Sequence, residues 1–240
     1  MVSPIDHAQA YPFFIPHYSY VLTGDDYTAL AGDVSVATLT EGLTPVIASG
    51  SNRSPEQLAR KYKNGPTDPV VVTRAELHEF DSVYSAHFAG YGSIAATLQH
   101  APGAVSELSI TWLNPAQLGR MHETESLGVN YDYGCLTDIR LEVENGPTLS
   151  EAYVYNSLQG CMSLDGDAVA LSEIKTKNRN GPSFSQPEAQ IHARDHLEPG
   201  MPLEEFIQGC IDDPTLRHRR TEALEASAIP FSYSGFKREL

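Results

Sequence analysis

Between residues 70 and 112, and again between 139 and 155, the chain falls into short runs patterned as strands, and this patterning limits what it can fold into more than any other feature. The runs 70–73, 83–87, 94–98 and 106–112 are rich in β-branched and aromatic residues and are separated by Gly and Pro, the punctuation expected between strands. Ile139, Leu141 and Val143 alternate with Arg140, Glu142 and Glu144, and successive side chains on a strand point to opposite faces. That stretch therefore reads as a strand with one wet face, and 151–155 as its antiparallel neighbour across the turn Asn145-Gly146-Pro147. Before this region, the apolar run 44–48 ends in the turn formers Ser49-Gly50-Ser51-Asn52. Ser54-Pro55-Glu56-Gln57 then predicts a capped helix start, followed by Leu58 and Tyr62 one turn apart. A second helix is predicted from Asn114-Pro115 through Gln117, Leu118, Met121 and Glu125. Many short strands with few helices imply an α+β fold with flanking helices, around a curved sheet or a small mixed or antiparallel β-barrel.

A chain of 240 residues can form one large core. The expected organisation is an N-terminal extension over 1–43 packed on the domain, a main domain over 44–190 and a helical C-terminal extension over 191–240. In the first segment, 18–30 could wrap on a neighbouring surface. In the last third, helices are expected near 168–175, 203–211 and 214–228, with a loop at 178–187. The content of 41% hydrophobic and 20% charged residues is that of a globular protein. No apolar run reaches the roughly 18 residues of a membrane span. Residues 1–20 lack a basic start and are broken by Pro4, Pro12 and Pro16, so a secretory leader is not expected and the cytoplasm is the expected location. Three scattered cysteines, Cys135, Cys161 and Cys210, suit a reducing compartment and buried apolar roles. A formal net charge of −15 speaks against nucleic-acid or anionic-membrane partners, which need clustered cations. The basic cluster 217–220 reads as a solvated helix end.

Two features could carry chemistry. Leu118, Met121 and Glu125 fall on one helical face, so a carboxylate extends an apolar stripe, while Glu123 points to solvent. Burial of Glu125 would raise its pKa and make it a proton acceptor and donor near neutrality; exposure beyond the helix end is the plainer alternative. The loop Ala48-Ser49-Gly50-Ser51-Asn52 joins a strand to a helix N-terminus, where backbone N–H groups can hold a carboxylate or oxyanion, although such junctions also serve as plain turns. His192 and His196 stand four apart but lack the glutamate that follows the first His in zinc hydrolases, so no metal site is expected. No Gly-x-Ser-x-Gly elbow occurs, and Cys161 reads as a buried thiol rather than a nucleophile.

Three segments in order resemble the γ-glutamylcyclotransferase-like family: Val46-Ile47-Ala48-Ser49-Gly50-Ser51-Asn52, then Gly92-Ser93-Ile94-Ala95-Ala96-Thr97-Leu98 with the Pro102-Gly103 turn, then Leu118 to Glu125 with Gly128-Val129 and Tyr131 behind it. The resemblance covers roughly 44–155, with a weaker likeness at 177–182. It implies a γ-glutamylcyclotransferase-like barrel fold with Glu125 as the catalytic acid/base, and a substrate site formed by Ala48, Ser49, Gly50, Ser51, Asn52 and Tyr131. It also implies an enzyme needing no cofactor and no metal, in which the α-amine of a γ-glutamyl substrate attacks its own γ-carbonyl, releasing 5-oxoproline and an amine or amino acid. Ser49 stands where the family has a tyrosine, a departure that bears on substrate preference. The leaving group and oligomeric state stay open, as do two rival uses of the fold: a binding protein for a small amino-acid derivative, and a pathway-specific enzyme that removes or transfers a γ-glutamyl group.

Overall fold

Val70, Val71 and Val72 are all buried, which a strand can achieve only if both of its faces are covered. A computed structural model describes residues 2–32 and 34–240 and shows what covers them. The chain begins with helix α1 (Pro4–Gln9), strands β1 (Tyr20–Thr23) and β2 (Asp26–Ala29), and the short helix α2 (Val36–Leu39). Strand β3 (Thr44–Ala48), helix α3 (Pro55–Tyr62), strands β4 (Val70–Phe88) and β5 (Ile94–Leu113), helix α4 (Pro115–Thr124), and strands β6 (Tyr131–Val143) and β7 (Thr148–Ser157) make up the centre. Helices α5 (Gln186–Leu197), α6 (Leu203–Asp212) and α7 (Pro214–Glu225) follow, and Phe236–Arg238 returns as a strand against β6.

Five strands close on themselves in the order β3-β5-β4-β6-β7 and back to β3. Every pairing in this ring is antiparallel except β3 with β7, where Ile47 faces Val154. The α+β architecture with a small closed barrel and flanking helices is thus the one observed. Alternation along the strands sorts side chains into two cores. Ile47, Val71, Leu108, Ile110 and Val154 join the large cluster, while Val46, Val70, Val72 and Leu113 pack outward against Leu58 and Tyr62 of α3 and Met121 of α4. Leu58 and Met121 are fully buried, each stabilising by about 1.5–3 kcal/mol relative to exposure.

The structure corrects the sequence reading in several places. The runs 70–73 and 83–87 are parts of one strand, β4, and 94–98 and 106–112 are parts of β5. Cross-strand bonds come from the backbone, so the polar residues between the apolar runs stay in the ladder. Pro102-Gly103 is a bulge rather than a turn: between the pairs His78↔Val105 and Phe80↔His100, residues 101–104 lie opposite Glu79. Gly103 (φ +84) and Glu79 (φ +67) take the left-handed backbone there, and the proline sits where no ladder donor is needed. The expected helix at 168–175 is instead a set of short strands, because Val169, Ala170 and Leu171 are buried in succession and Ala170 pairs with both Val83 and Ser183. Helix α5 begins inside the expected loop at 178–187 and crosses residue 190, where the C-terminal extension was expected to begin.

The basic cluster is not simply solvated. Arg220 is only 3% exposed, lies in the middle of α7, pairs with Glu198 and stacks 4.1 Å from the centre of the Phe206 ring. It ties α7 to the α5–α6 connection and to α6.

Candidate functional site

The site forms where α3 and α4 meet the end of β3. Leu58 and Tyr62 pack with Met121, Tyr62 donates to the Gln117 carbonyl at 3.2 Å, and Arg120 donates to the Lys61 carbonyl at 2.8 Å. These contacts set the C-terminal ends of the two helices side by side. Helix α4 is held at its start by a reciprocal capping box between Asn114 and Gln117, and it ends at Thr124. Glu125 is therefore the C-cap residue rather than part of the last helical turn, with φ −96 and ψ 6. Its side chain is nevertheless 10% exposed and turned inward.

One oxygen of Glu125, Oε1, accepts from Asn52 Nδ2 at 2.8 Å and pairs with the Lys61 ammonium. Oε2 has no hydrogen-bond partner among the described residues. The carboxylate faces a cavity of about 420 Å³ lined by Ala48, Ser49, Gly50, Ser51, Asn52 and Tyr131, all of the sequence-predicted substrate residues. Glu125 is the one carboxylate lining the cavity among the described residues, against the three cations Arg60, Lys61 and Arg120. Lys61 pairs with Glu125 and Arg120 with Glu123, which leaves Arg60, without a carboxylate partner among the described residues, as the cation that favours a ligand carrying a carboxylate.

After Ala48 the chain passes through Ser49 and Gly50 into a 3-10 turn, Ser51–Arg53, and then α3. Gly50 is required by close approach: a Cβ there would lie 2.7 Å from the Ala96 Cβ and closer still to the Tyr11 hydroxyl. Ser49 is buried, and its carbonyl accepts from Ser82 Oγ at 2.7 Å. Ser54, expected to cap α3, makes no capping bond; it is fully buried and its Oγ has no partner. Asn52 Oδ1 is likewise buried without a partner, an acceptor available to a ligand N–H.

Opposite the loop stand Tyr11, Tyr91, Tyr131, Tyr155 and His87. Ala96 uses both backbone groups here, its N–H donating to the Tyr11 oxygen at 2.7 Å and its carbonyl accepting from Tyr131 at 3.2 Å. Burial pushes the Tyr11 phenol up to about 12 and Tyr131 well above the usual tyrosine value, so both stay protonated near neutrality. Burial also lowers His87 to about 4, leaving a neutral imidazole whose ring packs edge-on against Tyr131 at 5.2 Å. Tyr155 and His122 Nδ1 are hydrogen-bonded at 2.8 Å, and burial lowers the His122 pKa while Glu125 partly offsets the shift.

No family profile and no curated protein matches the sequence. Among solved structures, a γ-glutamyl cyclotransferase aligns at 15% identity over 80% of this chain and 92% of its own, with a TM-score of 0.37. YkqA from Bacillus subtilis aligns at 13% identity over 90% of this chain and 73% of its own, also with a TM-score of 0.37. Chains this divergent can share a fold without sharing chemistry, so function has to come from the residues of the site.

The sequence reading missed Lys61, Arg60, Arg120, Tyr11, Tyr91, Tyr155 and His87. Lys61 had a usable signal, a basic residue in the last turn of the helix that follows the loop. Tyr11 had none, since it follows α1 in a segment without periodicity. Of the histidines four apart, His192 has its Nε2 3.1 Å from the Ser163 carbonyl. Among the described residues, one group has metal-compatible spacing, Glu76, His78 and Glu142 on β4 and β6, where Glu76 pairs with Lys177 and Glu142 with Arg140. All three cysteines are buried and free, and burial pushes the Cys161 thiol up to about 12. No helix among the described residues is long and apolar enough to cross a membrane.

Proposed function

We propose that this protein is a γ-glutamyl cyclotransferase-type lyase that converts a γ-glutamyl amide into 5-oxoproline and a free amine or amino acid. The observation that carries the reading is the placement of Glu125: a largely buried carboxylate, anchored through Oε1 and open through Oε2, in the same cavity as the Gly50–Asn52 turn. The substrate's α-carboxylate would sit among Arg60, Arg120 and the N–H groups of the turn. Asn52 Oδ1 and Glu125 Oε2 would receive the α-ammonium.

Glu125 takes one proton from that ammonium. The freed amine attacks the γ-carbonyl carbon and the new C–N bond closes a five-membered ring. The leaving nitrogen accepts the proton from Glu125 as its C–N bond breaks, and Glu125 then takes the remaining extra proton of the ring nitrogen, which passes to the released amine or to solvent. Both reacting groups belong to one molecule, so the protein contributes by holding the folded conformer, where such geometry can be worth about 7–11 kcal/mol. Donors aimed at the developing oxyanion contribute about 3–4 kcal/mol each in other enzymes.

Incubation with γ-glutamyl amino acids, γ-glutamyl amines and glutathione, with 5-oxoproline followed by mass spectrometry, tests the proposal. Release is expected from the unsubstituted protein and is expected to vanish in Glu125→Gln, which should still bind 5-oxoproline in calorimetry. One observation favours a second reading: Lys61 already pairs with the carboxylate, as would suit a site that only binds an amino-acid derivative. Binding without release from any member of the panel would establish that reading instead.

A further inference from the structure

Tyr11 comes from the N-terminal segment, outside the barrel, and its position is fixed from both sides. Before it, the Ala8 carbonyl accepts from Ser93 Oγ at 2.7 Å at the approach to β5; after it, Phe13 N–H bonds back to the Ala10 carbonyl at 2.7 Å. The ring is 4% exposed and its oxygen lies against Gly50 and beside Ser51, at the turn that lines the Glu125 cavity. That oxygen already accepts from the Ala96 N–H. A tyrosyl hydroxyl has one proton to donate, and the side chain beside it is the rotatable hydroxyl of Ser51, on the same cavity wall. Accepting one hydrogen bond polarises the O–H and strengthens it as a donor. The phenol is held well above its ordinary pKa by burial, so the proton is present across the neutral range. A buried hydroxyl that accepts from Ala96 and has only the rotatable Ser51 hydroxyl beside it, on the wall of a cavity that also holds Glu125, is placed to turn its proton towards a bound ligand.

We propose that the Tyr11 hydroxyl is a catalytic group of this site, donating a hydrogen bond to the γ-carbonyl oxygen of the substrate and strengthening that bond as the oxygen becomes an oxyanion. The inference rests on the cyclotransferase reading of the cavity. No proton leaves Tyr11: the amine nitrogen bonds to the γ-carbon, the bond to the leaving nitrogen breaks, and the two protons that the attacking nitrogen loses pass through Glu125. The N-terminal segment thereby becomes part of the active site rather than a covering of it.

The test compares Tyr11→Phe with the unsubstituted protein on whichever γ-glutamyl amide of the panel is turned over fastest. Loss of one oxyanion donor predicts a fall in kcat of about 100-fold with KM changed less than about threefold. A packing role alone would lower Tm while leaving kcat in place. Should Tyr11→Phe fail to fold, 3,5-difluorotyrosine at position 11 keeps the ring and hydroxyl but lowers the phenol pKa; the alkaline limb of the kcat profile is then expected to move to lower pH. A kcat within about threefold of the original in Tyr11→Phe, a loss confined to KM, or an unmoved alkaline limb overturns the role of Tyr11 and leaves the cyclotransferase reading standing. Absence of turnover in the unsubstituted protein overturns both.

Discussion

At Gly50 a single hydrogen atom keeps three parts of the molecule together. The glycine lets the end of β3, the strand residue Ala96 and the Tyr11 hydroxyl approach more closely than any Cβ would allow. Gly50→Ala is therefore expected to destabilise the protein by about 1–3 kcal/mol, read as a lower urea midpoint, and to reduce turnover further than unfolding explains. The φ of Gly50, −136, is not left-handed, and the close approach is what calls for glycine. The Ser-Gly-Ser-Asn string was legible in the sequence as a strand-to-helix loop, but the need for glycine within it was not. Tyr11 lies 39 positions away in sequence, and no local pattern reports a contact of that range. The same limit hid Lys61 as the partner of Glu125: a pairing between two helices depends on their packing, which no single-helix periodicity contains.

Helix α4 shows how an element delivers a functional residue. The Asn114-Pro115 start was legible, and the capping box forms as its chemistry requires. The end was less so: the apolar stripe predicted Glu125 in the helix, yet the last helical residue is Thr124. The inward direction of Glu125 is set by Met121, buried one turn earlier, and by Asn52 and Lys61 across the gap. Two substitutions away from the cavity test the contribution of the helix to stability. Asn114→Ala removes the cap and is expected to cost about 1 kcal/mol. Gly119→Ala adds a methyl into open space on the exposed face and is expected to stabilise by about 0.5–1 kcal/mol. Thermal melts of the two variants should therefore shift in opposite directions.

On the scale of the whole molecule, closure of the barrel buries ionisable groups that would otherwise titrate. His87 is 2% exposed near the end of β4, and burial lowers its pKa from 6.5 to about 4. Between those values the unfolded chain binds a proton that the folded one does not, so stability falls as the pH is lowered from 6.5 towards 4. Above pH 6.5 this group adds no pH dependence. The total change is on the order of 3 kcal/mol, and His87→Gln is expected to flatten this part of the stability profile measured by denaturant titration. By itself the sequence determined the strand alternation, the starts of α3 and α4, the loop at Gly50 and the candidacy of Glu125, because each rests on neighbours within a turn or two of chain. Only the tertiary structure decided that β4 and β5 run unbroken, that 168–175 is extended and that Arg220 is buried. It also decided that Tyr11, Lys61 and Glu125 share one cavity. Those outcomes depend on backbone pairing and on the desolvation of distant groups, and neither leaves a periodic trace along the chain.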